Sequence, residues 1–71
     1  MTSKLLPRWK DDHNKIIICE EKIKVMQENF LELQQIAQDM FEDAILMDIN
    51  PNQVKEAMHD VIINLINPYS H

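Results

Sequence analysis

The sequence predicts an all-α fold, a long helix followed by a shorter antiparallel helix. This helical hairpin is expected to dimerise into a four-helix bundle or a coiled-coil-like assembly. Three observations predict it. Ile16, Ile23, Phe30, Ala37 and Ala44 interleave with Cys19, Met26, Leu33, Met40 and Met47 at a and d heptad positions, all apolar. No proline or glycine interrupts Asp11 to Asp48. A second periodic segment opens at Asn50-Pro51 after a link of about three residues, short enough to make the two helices antiparallel neighbours.

The chain of 71 residues is read as a single helical domain, 1–71. Residues 1–10 form an N-terminal segment, about 11–48 the long helix, about 51–66 the second helix and 67–71 a tail. The long helix has two candidate starts. Pro7 suits a first helical turn, and Asp11 or Asp12 suits an N-cap. The second helix has clearer punctuation. Asn50 is a good N-cap, Pro51 fits the first position and Gln53 completes a capping-box spacing. Val54, Ala57, Met58, Val61, Ile62 and Leu65 then share one face, and Asn67-Pro68 stops the run.

Lengths turn this pattern into an expectation about association. A helix from about Asp12 to Met47 would run roughly 54 Å, whereas a compact domain of this size is about 29 Å across. The second helix, roughly 24 Å long, reaches back over Leu33 to Met47 but not to Ile16, Cys19, Ile23 or Met26. Leaving those side chains in water forfeits about 1.5–3 kcal/mol each. The expected cover is another polypeptide, either a second copy or a different helical protein. The expected partner-binding residues are Leu5, Leu6, Trp9, Ile16, Cys19, Ile23, Met26 and Phe30. The segment around Trp9, the only tryptophan, has two alternatives. It anchors a partner, or it folds over the chain's own Ile16–Ile23 surface.

Charge orients the expected dimer. Residues 1–24 carry Lys4, Arg8, Lys10, Lys15, Lys22 and Lys24 against four acids, a net of +2. Residues 25–48 carry Glu28, Glu32, Asp39, Glu42, Asp43 and Asp48 with no basic residue, a net of −6. An antiparallel pair sets unlike segments side by side and a parallel pair sets like against like. The overall charge of −5 speaks against nucleic acid, whose phosphates need a basic face. An alternative function is an acidic, transcription-linked regulator whose Asp39, Glu42 and Asp43 occupy the basic surface of a DNA-binding protein.

Chemistry finds little support. No glycine means no P-loop, dinucleotide fingerprint or nucleophile elbow. Glu56 and His59 match a di-iron Glu-x-x-His spacing, but both fall on the polar side of the second helix, and the long helix offers no carboxylate at a or d. Cys19 at a d position reads as a small core hydrophobe, without a base to activate it. His13 reads as solvated and His71 ends the chain. Met26, Met40, Met47 and Met58 lie on apolar faces, where core filling is the ordinary role and a re-packable groove the functional one. No enzyme activity, cofactor, catalytic residue or metal site is expected, and no membrane partner. One cysteine, no apolar run of span length and no leader-like Met1–Lys10 segment predict a reducing compartment, cytoplasmic in preference to nuclear.

Overall fold

The computed structural model describes residues 6–69. Among them stand two helices, α1 at Glu20–Leu46 and α2 at Pro51–Ile63, and no named strand. The long-then-short all-helical order is the one the periodicity predicts. Contacts group the chain into two units, Met1–Ile36 and Ala37–His71, each with its own local logic.

In the first unit the long helix starts later than Asp11 or Pro7, and the reason lies in the turn chemistry. The Asp11 carboxylate accepts from the backbone N–H groups of His13 at 2.8 Å and Lys15 at 2.9 Å. Asn14 N–H donates to the Asp11 carbonyl, and Asn14 takes the left-handed conformation at φ 68°. Asn tolerates that region because its short amide bonds locally. The chain thereby reverses. Asp11 N–H donates to Lys15 O, Ile17 N–H donates to Trp9 O, and Lys10 and Ile16 form an isolated antiparallel bridge. The β-branched run Ile16-Ile17-Ile18 favours this extended course over helix. The heptad stretch from Ile16 to Cys19 is therefore not helical, and Ile16 and Cys19 are not a and d positions of α1. The helix begins at Glu20 and Glu21, acids that complement the positive end of its dipole.

In the second unit, α1 ends in a Schellman motif built without glycine. Ile49 N–H donates to Ala44 O at 2.9 Å and Asp48 N–H to Ile45 O at 3.1 Å, with Asp48 left-handed at φ 62°. Asn50 then caps α2, its side-chain oxygen accepting from Asn52 N–H at 2.8 Å and Gln53 N–H at 3.1 Å. The expected Asn50 N-cap is present, and Pro51 opens the helix. α2 stops at Ile63 and not near residue 66. Asn64 donates both its N–H and its side-chain amide to Asp60 O, closing the helix before Leu65. Beyond it, Asn67 accepts from Tyr69 N–H at 2.8 Å across Pro68.

Both termini of the α1–α2 link are open to mutation. Asp48→Gly, which removes a left-handed non-glycine residue, is expected to raise stability by about 0.5–1 kcal/mol. Asn50→Ala is expected to lower it by about 1 kcal/mol. Urea denaturation followed by circular dichroism reads both, and opposite signs would contradict this account of the link.

Candidate interaction surface

Among the described residues only Ala44 is buried, at 4% exposure. The partly covered side chains define what the chain does shield. In the first unit these are Leu6, Trp9, Ile17, Ile23, Met26 and Phe30. The Trp9 and Phe30 rings stack, centroids 5.5 Å apart and planes 27° apart. Such pairs contribute about 0.5–1.5 kcal/mol beyond their area. Of the two alternatives for the N-terminal segment, the structure thus has Trp9 fold onto its own helix, reaching Phe30.

In the second unit Ala37, Phe41 and Ala44 of α1 and Val54 and Met58 of α2 are covered. The Lys55 ammonium stands 5.4 Å from the Phe41 ring centroid, a cation–π contact that bridges the two helices. Phe41 is not an a or d position, and its partial cover follows from helix geometry. A straight helix turns once per 3.6 residues, so a 3.5-residue stripe drifts by about 20° per heptad. By the end of α1 that drift brings Phe41 inward and carries the d residue Met40 out.

The expected partner-binding residues separate accordingly. Trp9 and Phe30 are brought together, and Leu6, Ile23 and Met26 are half-buried. Ile16 and Cys19 are exposed. The expectation that Cys19 is a core hydrophobe is corrected, because the helix begins only after it. Leu5 lies outside the described residues. The expected shielding of Leu33, Met40 and Met47 is also corrected, since all three are exposed.

A different stripe emerges in their place. Val25, Leu33, Ile36 and Met40 recur on α1 at helical spacing and are 53, 47, 62 and 46% exposed. Sequence reading placed Val25 outside the a/d seam but within the half of the long helix left for other cover, assigned Leu33 and Met40 to intramolecular cover and passed over Ile36. The available signal was the spacing of Val25, Leu33, Ile36 and Met40, eight, three and four residues apart, which sets them on one face of a 3.6-residue helix. A second apolar run, Val61 to Ile63 followed by Leu65 and Ile66, is exposed at the end of α2.

The polar groups make local contacts. Gln38 donates to Glu42 at 2.9 Å, so one of the three acids proposed to meet a basic surface is engaged within α1. Glu56 and His59 are exposed. Among the described residues no group of three His, Cys, Asp or Glu side chains could hold a metal ion. No helix among them is long and apolar enough to cross a membrane. In comparisons with known proteins, no family model matches the sequence, and no curated protein or solved structure matches it significantly.

The aromatic stack predicts a spectroscopic result. Phe30→Ala should shift the fluorescence of Trp9 to longer wavelength and lower stability by at least ~0.5 kcal/mol. An unchanged emission maximum would contradict the stack.

Proposed function

We propose that the protein is a non-enzymatic protein–protein interaction module, in the class of a small adaptor, regulator or assembly subunit, acting through the exposed apolar stripe of α1. The observation that supports this reading is the contrast, among the described residues, between one buried residue, Ala44, and apolar side chains left exposed along α1 and the end of α2. A side chain such as Ile36, more than half exposed, forfeits on the order of 1 kcal/mol of a full burial worth about 1.5–3 kcal/mol. Four such residues on one face are a sizeable sum for a chain near the lower limit for an independent core. A protein surface that supplies the missing cover recovers that energy and acts as the partner. The partner is a second copy of the chain or another helical protein.

The residues that carry the function under this reading are Val25, Leu33, Ile36 and Met40. Ile23, Met26 and Phe30 form the adjoining, partly covered edge, with Trp9 holding the first unit in shape.

A photo-crosslinking amino acid placed at position 36, with a control at the polar, exposed position Glu28, tests the reading in cells that express the chain. The expected result is a discrete crosslinked product from position 36 and little from position 28. Equal yields at both positions, or none at either, would overturn it.

A further inference from the structure

The stripe on α1 has charged ends of opposite sign. α1 is one uninterrupted helix, and Lys22, Val25, Asn29, Leu33, Ile36, Met40 and Asp43 follow one another along it at steps of three or four residues, so they share a face. All are exposed. Lys22 stands before the apolar stretch and Asp43 after it, about 32 Å apart along the axis.

From this order we infer that the occupant of the stripe is a second copy of the same chain, docked antiparallel by this face of α1. The inference rests on the interaction-module reading and names its partner. The order of residues supplies the match. In a two-fold antiparallel pair with Leu33 near the axis, Lys22 of each copy faces Asp43 of the other. Val25 then faces Met40, and Asn29 faces Ile36. Apolar thus meets apolar at Val25–Met40 on both sides and at the two Leu33 near the axis, Ile36 packs on the stem of Asn29, and unlike charges close both ends. A parallel pair sets Lys22 on Lys22 and Asp43 on Asp43, which disfavours that register.

The same geometry locates the weak point of the pair. Glu32 neighbours Leu33 and lies along the edge of the stripe. A two-fold axis between antiparallel helices brings an edge of one copy beside the same edge of the other. The two Glu32 carboxylates therefore approach near the axis, where like charges oppose association.

Cys19, the one cysteine of the chain and exposed, reports orientation without mutation. In the antiparallel pair the two Cys19 residues are about 40 Å apart, beyond the ~7 Å that a disulfide spans. In a parallel pair they are neighbours.

Sedimentation equilibrium of the full chain, with circular dichroism to confirm helicity, tests the inference. The expected result is a dimer that Lys22→Glu weakens roughly tenfold, and that Lys22→Glu with Asp43→Lys restores. Glu32→Gln is expected to tighten it several-fold, and Ile36→Asp to give a helical monomer. Copper–phenanthroline oxidation should leave wild-type Cys19 uncrosslinked. In a Cys19→Ser chain, Val25→Cys with Met40→Cys should crosslink the copies. A helical monomer at high micromolar concentration overturns the inference, while a crosslinked product from position 36 with a different protein would leave the broader reading standing. A Cys19–Cys19 disulfide, or a dimer indifferent to both charge reversal and Ile36→Asp, overturns the antiparallel docking.

Discussion

The mismatch between a 3.5-residue apolar repeat and a 3.6-residue helix governs which side chains of α1 the chain can cover. At ~20° of drift per heptad, no single line of contact follows the seam from Ile23 to Met40. The covered side chains Ile23, Met26, Phe30, Ala37, Phe41 and Ala44 keep to one strip of a straight helix, while the d positions drift off it from Met26 to Leu33 to Met40. The residues it leaves behind, Leu33, Ile36 and Met40, fall into a stripe beside it. In a coiled coil that drift is absorbed by supercoiling around a partner helix. Here the drift yields two adjacent faces, one partly covered by the chain's own elements and one exposed.

The local devices at the ends of α1 follow from the absence of glycine. Asn14 and Asp48 occupy left-handed positions that glycine would fill at lower cost. Each is held by local bonds, the first by the turn on Asp11 and the second by the Schellman pair from Asp48 and Ile49. The Asp11 turn sends the chain back so that Trp9 and Ile17 are bonded backbone to backbone, and Trp9 lies against Phe30. The Asp48 reversal, followed at once by the Asn50 cap, sets Lys55 over Phe41. Each unit thus ties down one aromatic ring on α1 with a residue from a neighbouring element. Both contacts are modest in energy, in keeping with a chain that leaves much apolar surface exposed.

The class of fold and the second helix were legible in the sequence because their signals are local. The Asn50-Pro51 cap and the uninterrupted apolar spacing each depend on a few neighbouring residues. The start of α1 was not legible, because the heptad spacing continues through Ile16 and Cys19 while the competing signal is side-chain chemistry. Asp11 and Asn14 capture backbone groups, and Ile16-Ile17-Ile18 prefer an extended course. The spacing alone gives those preferences no weight. For Trp9 the sequence leaves two alternatives, a partner anchor or a fold over the Ile16–Ile23 surface, and the choice depends on the Asp11 turn, which brings the ring to Phe30. The stripe was hidden for a different reason. Assigning every d residue to one seam assumes a 3.5-residue helix, whereas in the structure Phe41 replaces Met40 on the covered side.

The central claim is that the Val25–Met40 stripe of α1 is covered by a second copy of the chain. Its most direct measurement is the alkylation rate of a cysteine at position 33, introduced as Leu33→Cys in a Cys19→Ser chain, as a function of protein concentration. Glu28→Cys in the same background serves as the exposed control. The account predicts that position 33 reacts at the control rate when dilute and becomes several-fold slower as concentration rises into the micromolar range. Equal rates at both positions across the whole range would contradict it.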